Sequence, residues 1–197
     1  MTPQAESVLE LFRSTGAYLQ GHFRLTSGLH SAEYLQSALV LQHPKAAEKL
    51  GRMLAEEVRK SITEKIGMVA SPALGGLIIG HEVARALGTR FIFMERDTSS
   101  GKMDLRRGFT AGPGETAVVI EDVITTGGST RDVIEILQAR GVKVLAAGSI
   151  IDRSGGLADV TVPRVALATL RVAAHYPEQC PMCNLGIPAI KPGSRPA

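Results

Sequence analysis

Tryptophan is absent from this 197-residue chain, and aromatic residues make up 4% of it. No aromatic platform for stacking single-stranded bases is apparent. Cysteine is nearly as scarce, with Cys180 and Cys183 standing close together near the C-terminus. No apolar run reaches transmembrane length, and the start, MTPQAESVLE, does not read as a signal peptide, so the cytoplasm is the expected location. An excess of one charge is missing too. Net charge is +3 with a pI near 9.0, and the basic residues are dispersed, which is weak support for nucleic-acid binding. There is no G-x-x-x-x-G-K-[ST], so a P-loop is unsupported; Gly112-x-Gly114 precedes a strand pattern, so it fails as a dinucleotide fingerprint. The remaining 44% hydrophobic content fits a single domain over 1–197.

What is present centres on Val118–Thr130, VVIEDVITTGGST. Val118, Val119 and Ile120 read as the end of a buried strand. Glu121 and Asp122 follow, then Val123 and Ile124, then a turn of hydroxyls and glycine: Thr125, Thr126, Gly127, Gly128, Ser129, Thr130. A helical pattern (Val133, Ile134, Ile136, Leu137) runs to Gly141. Glycines allow close backbone approach, and the first helical turn offers free N–H groups and a positive dipole end to a phosphate. Two acids ahead of such a cradle would repel a bare phosphate. They make sense beside a sugar diol or a hard cation such as Mg²⁺. The expected ligand is a ribose 5-phosphate with a metal nearby; the plain alternative is an ordinary β–α turn with a Ser/Thr cap.

Along the chain, residues 5–15 show helical spacing, and 22–42 read as short strands joined by a turn. A helix begins at Pro44. Strands are expected at 66–70, 91–94, 116–120, 142–151 and 165–170, with helices leading to Leu87 and over 129–140. This alternation predicts an α/β fold, a mainly parallel central sheet flanked by helices. Residues 1–40 read as a small N-terminal hood, 44–170 as the core and 171–197 as an irregular tail. Turns at the carboxyl ends of the strands form the site in such sheets. Four fall there: 71–76, 95–109, 121–130 and 152–156.

Ser71–Gly76, SPALGG, is a second strand–turn–helix whose backbone N–H groups suit an anion such as pyrophosphate; a tight turn needing glycine is the other reading. ERDTSSGKMDLRRGF (95–109) lacks an apolar period and carries Arg96, Lys102, Arg106 and Arg107. It reads as a long exposed loop, either solvated or able to close over a polyanion. Arg153, after Asp152 at a strand end, can fork onto a planar acid, or form an ion pair or cap.

These motifs resemble the phosphoribosyl-pyrophosphate (PRPP) signature of type I phosphoribosyltransferases and, within them, the orotate phosphoribosyltransferases. FRLTSGLHSAEYLQ resembles that family's N-terminal segment, SPALGG its pyrophosphate turn, GKMDLRRGF its catalytic loop, EDVITTGGS its signature and DRSGG its orotate-arginine turn, in matching order over residues 20–156. The resemblance implies the type I phosphoribosyltransferase fold and transfer of ribose 5-phosphate from PRPP to N1 of orotate in pyrimidine biosynthesis. It implies a PRPP site of Arg96, Lys102, Glu121, Asp122, Val123, Ile124, Thr125, Thr126, Gly127, Gly128 and Ser129. Lys102 and Asp122 are the catalytic pair, and Thr125 and Arg153 meet orotate. Mg²⁺ would arrive with PRPP rather than by direct protein ligation, with Glu121 and Asp122 the nearest carboxylates. The resemblance further implies a homodimer in which Lys102 serves the neighbouring subunit's site.

The chain departs from the family pattern at Leu74-Gly75, where Tyr-Lys is common, and at Thr26, where Lys is common. Its loop lacks the usual Arg-Lys start and downstream His; Arg106 and Arg107 are the substitutes at hand. A purine or uracil acceptor, or a nucleotide-sensing RNA-binding regulator, are the alternative functions. Cys180-Pro-Met-Cys183 with upstream His175 invites a zinc reading, but two further ligands at matching spacing are not evident. Reduced thiols or an adventitious disulfide are therefore expected.

Overall fold

A computed structural model describes residues 2–25 and 27–192; Thr26 and the last five residues of the expected tail lie outside it. Helix α1 (Pro3–Ser14) starts where the Thr2 hydroxyl accepts the Ala5 N–H at 3.2 Å, and it buries Ala5, Val8, Leu9 and Phe12. Strands β1 (Tyr18–Arg24) and β2 (His30–Leu35) form an antiparallel hairpin. The strand expected to run on to residue 42 stops there: Ser37–Leu41 is a short helix, α2. Val40 and Leu41 are both buried. A strand would aim such neighbours at opposite faces, whereas a helical turn lays both on the core. Helix α3 (Pro44–Ser61) buries Ala47, Leu50, Leu54 and Val58 at helical spacing.

The main sheet has six strands in the order β5-β4-β3-β6-β7-β8. These are β3 (Met68–Pro72), β4 (Arg90–Arg96), β5 (Met103–Leu105), β6 (Thr116–Ile124), β7 (Lys143–Asp152) and β8 (Arg164–Thr169). All neighbours are parallel except β5, which runs antiparallel to β4 at one edge. Helix α4 (Gly76–Leu87) links β3 to β4, and α5 (Gly128–Ala139) links β6 to β7. Alternation along the strands divides the core. Val69, Val118 and Ile120 face α1, α3 and α4, while Met68, Ala70 and Val119 face Val133, Ile134 and Leu137 of α5. Each such fully buried aliphatic side chain contributes ~1.5–3 kcal/mol.

Because β3 pairs with β4 on one side and β6 on the other, the connections diverge between β3 and β6. The crevice at that switch point is where doubly wound sheets bind ligands. The turns 72–75 and 125–127 flank it.

Three further expectations are corrected. β6 does not end at Ile120 but runs to Ile124, because β7 continues to pair with it through Val123–Ile151 and Ile124–Asp152. Glu121 and Asp122 are therefore strand residues. The 95–109 segment is a hairpin rather than a structureless loop: Arg96 pairs with Met103 and Met94 with Leu105. Its tip is tied by Asp97 Oδ1, which accepts the N–H groups of Ser99 (3.0 Å) and Ser100 (2.9 Å). The Ser99 hydroxyl, followed by those N–H groups, holds the Asp97 carboxyl well below the usual carboxylate range. The tail also acquires structure, a 3-10 turn at Pro177–Gln179 and helix α6 (Pro181–Asn184), followed by a bridge of Ile190 to Phe23 of β1.

Candidate active site

A cavity of about 380 Å³ opens at the switch point between the sheet edge and the β1–β2 hairpin, a volume within the range of small-molecule sites. Asp122, Val123, Thr125 and Thr126 line its floor, Arg153 one side, and Leu25, Tyr34 and Leu35 of the hairpin cover it.

Strand alternation separates the two acids. Asp122 faces the cavity and lies against the β3–α4 turn, where a β-carbon on Gly75 would stand 2.5 Å from Asp122 Oδ1. The residue that replaces the family's common Lys thus leaves room for the carboxylate. Glu121 faces α5 instead and accepts the Thr130 hydroxyl, with Arg96 nearby. Burial pushes the Glu121 carboxyl up to about 7, opposed by the Thr130 donor. Burial likewise raises the Asp122 carboxyl, against a 2.8 Å bond donated by the Val123 N–H. Among the described residues neither acid has an ion-pair partner. Unpaired half-buried carboxylates are costly unless a ligand supplies hydroxyls or a cation.

The β6–α5 turn takes its shape from Gly127, whose φ of +76° is the left-handed conformation that glycine tolerates best. A β-carbon there would also meet Val160 at 2.8 Å. Gly128 and Ser129 then open α5 with free N–H groups beside the exposed hydroxyls of Thr125 and Thr126. Ile124 is fully buried core; its carbonyl accepts the Arg153 N–H at 2.8 Å, so it positions rather than lines the site.

Asp152 and Arg153 divide two roles. Asp152 is buried, pairs with Arg164 at 2.9 Å and accepts the Ser154 N–H and hydroxyl at 2.8 and 2.6 Å, which fixes the turn. Arg153 is half-buried and has no carboxylate partner among the described residues; burial lowers its pKa, with Tyr34 acting in the opposite direction. A buried, unpaired guanidinium facing a cavity is suited to a planar acid.

The cationic residues of the β4–β5 hairpin are mostly engaged. Arg107 pairs with Glu95 at 2.6 Å, Arg106 with Asp97 at 3.5 Å, and Arg96 with Asp132 at 2.6 Å, 3.4 Å from the Ser129 hydroxyl. Arg96 therefore sits at the start of α5 beside the β6–α5 turn. Lys102 is exposed, has no ion pair among the described residues, and is not part of the Asp122–Arg153 cavity wall.

Tyr34 is the site residue that sequence reasoning missed. It lines the same cavity as Asp122 and Arg153, and burial followed by the Asp122 charge raises its pKa. Its place in the family-like N-terminal segment was the available signal. Val172 and Ala174, also in the wall, carry no signal in sequence.

The match to known proteins extends over nearly the whole chain. Residues 37–170 match the phosphoribosyl transferase domain. The chain is 52% identical to an orotate phosphoribosyltransferase of Pelotomaculum thermopropionicum over 96% of its own length and 97% of the relative's. It is 51% identical to one of Heliobacterium modesticaldum, covering 96% and 98%. Among solved structures, the orotate phosphoribosyltransferase of Aeropyrum pernix superposes with a TM-score of 0.66 at 26% identity, covering 83% of this chain and 94% of that one. With near-full-length identity of this size added to a cavity that joins the Thr125–Thr126 turn to Arg153, the chain belongs to the orotate phosphoribosyltransferases of the phosphoribosyltransferase family.

Proposed function

We propose that the protein transfers the 5-phosphoribosyl group of PRPP to N1 of orotate, releasing pyrophosphate and orotidine 5′-monophosphate. The observation that carries this reading is the single cavity shared by Asp122, Thr125, Thr126 and Arg153. The first-turn N–H groups of Gly128 and Ser129, with the Thr125 and Thr126 hydroxyls, take the 5-phosphate. Asp122 accepts a ribose hydroxyl, and Glu121 stands behind it on the α5 side. Arg153 forks onto the orotate carboxylate beside Tyr34 and holds N1 towards C1′.

Bond breaking at C1′ leaves an oxocarbenium-like ribose and sends an electron pair onto the pyrophosphate, so catalysis rests on cations placed where that charge develops. Arg96 is at the phosphate turn. Lys102, outside this chain's own cavity wall, serves the site of a second copy, which makes the working unit a homodimer. The β4–β5 hairpin shields the cation from water. The unpaired carboxylates Glu121 and Asp122 suit Mg²⁺ arriving with PRPP; when bound, it neutralises charge on the diphosphate. No helix among the described residues is long and apolar enough to cross a membrane, and a cytoplasmic location is proposed with the function.

Spectrophotometric orotate depletion with PRPP, with and without Mg²⁺, tests the reading. Turnover that needs both PRPP and Mg²⁺ and is absent with hypoxanthine, adenine or uracil is expected. A better rate on any of those bases would overturn the orotate assignment, and salt-dependent RNA binding without turnover would overturn the enzyme.

A further inference from the structure

Two segments that are remote in sequence meet at the hood. Cys180 ends the 3-10 turn and caps α6, and Cys183 follows one helical turn later. Their sulfurs lie against the β1–β2 hairpin, beside His22 on β1 and His30 on β2. Cys180 is fully buried, His22 and His30 are 4% and 7% exposed, and Cys183 is half-buried. One donor atom from each residue falls within 4.8 Å of all the others. His22 Nε2 is 2.9 Å from His30 Nδ1, 3.4 Å from Cys180 Sγ and 3.8 Å from Cys183 Sγ, while Cys183 Sγ is 3.2 Å from His30 Nδ1.

Those separations are four of the six edges of a tetrahedron, and the remaining two, from Cys180 Sγ to Cys183 Sγ and to His30 Nδ1, lie within 4.8 Å. Metal bonds of about 2.0–2.1 Å to nitrogen and about 2.3 Å to sulfur place tetrahedral N–N edges near about 3.3 Å and N–S edges near about 3.6 Å. The four edges lie within about half an ångström of these values. An imidazole–imidazole hydrogen bond would account for the shortest contact, but not for two thiols, free of any disulfide, converging on the same point. The outer contact fits as well. His22 Nδ1 lies 2.7 Å from the Ile187 carbonyl, which only accepts, so the proton is on Nδ1 and the Nε2 lone pair points into the cluster. Ligating histidines are held in this way.

We propose that His22, His30, Cys180 and Cys183 form a structural zinc(II) site that clamps the C-terminal segment onto the hood. Two thiolates and two imidazoles in a tetrahedron select Zn²⁺ over the hard Mg²⁺. Four protein ligands close the coordination sphere, so the site holds structure rather than a reacting water. None of the four lines the Asp122–Arg153 cavity, yet β2 carries both His30 and Tyr34. The metal braces the strand that covers the cavity. His175, the ligand that sequence proximity suggests, exchanges backbone hydrogen bonds with His30 at 2.8 Å in each direction and lies outside the cluster.

The test is elemental analysis of the untagged full-length protein, purified without chelator and dialysed after exposure to excess Zn²⁺. About one zinc per chain is expected, released when a mercurial titrates the two thiols. Cobalt(II) in its place should show the intense visible bands of a tetrahedral site with thiolate charge transfer. Cys183→Ser, at the half-buried position, should keep the fold by circular dichroism and retain less than about a tenth of the zinc. No zinc in the folded wild-type protein would overturn the proposal, as would a Cys180–Cys183 disulfide, stoichiometric iron in place of zinc, or full zinc retention by Cys183→Ser. The measurement reads metal rather than turnover, so its outcome is independent of the acceptor base.

Discussion

At the scale of single residues, the two signature acids part company. Burial keeps Glu121 protonated up to about pH 7, whereas its ordinary value is 4.5. Between those values the native chain holds a proton that the unfolded chain has released, so stability of the ligand-free protein falls as pH rises through that window. Above pH 7 the full loss is present. Asp122, raised by the same cause, adds to the slope, while the lowered carboxyls of Glu95, Asp97 and Glu115 act only at more acid pH. Glu121→Gln should therefore stabilise the ligand-free protein at pH 8 by on the order of 2 kcal/mol after partial solvent screening, with little change at pH 5. Thermal unfolding at the two pH values checks this, and an equal shift at both would mean the charge is not responsible. Arg153 offers a second test. A charged hydrogen-bond donor in a cavity is worth ~1.5–3 kcal/mol, so Arg153→Ala should raise KM for orotate about tenfold or more and leave PRPP binding by calorimetry intact. An unchanged orotate KM would remove Arg153 from the acceptor site. The presence of an acid pair and an arginine was legible in sequence; which face each occupies was not, because β6 was expected to end before them.

At the scale of elements, turns place the chemistry. The β3–α4 turn lies so close to Asp122 that Gly75→Ala would set a β-carbon 2.5 Å from the carboxylate. The short acidic side chain must then swing away, and PRPP binding should weaken while orotate KM holds. Calorimetric titration of PRPP into the variant decides the point; unaltered affinity would show that Asp122 does not need its present position. The β4–β5 hairpin shows a limit of pattern reading. Its second strand, β5, is only three residues long with a charged centre, so no apolar alternation marks it. The hairpin's order comes from the Asp97 turn, from the pairing of Met94–Arg96 with Met103–Leu105, and from the Arg107–Glu95 ion pair just beyond β5.

At the scale of the molecule, the separation of Lys102 from its own chain's cavity invites a mixing experiment. Lys102→Ala and Asp122→Asn should each be nearly inactive alone. If Lys102 acts across a dimer, a mixed dimer has one site with both residues intact, and random exchange of equal amounts should restore about a quarter of wild-type activity. No recovery after confirmed subunit exchange would place Lys102 in its own chain's site. The same scale separates what was readable in the chain from what was not. Sequence alone determined the alternation of strands and helices and the glycine-rich turn between β6 and α5, because hydrophobic period, glycine and helix-start chemistry are local properties carried by neighbouring residues. Tertiary structure alone decided that Tyr34 shares a cavity with Asp122 and Arg153. It also decided that Cys180 and Cys183, short of two ligands in their own neighbourhood, meet His22 and His30 from the other end of the chain. Contacts across some 150 residues leave no period in the sequence; they exist only once burial of the hood and tail brings those segments together.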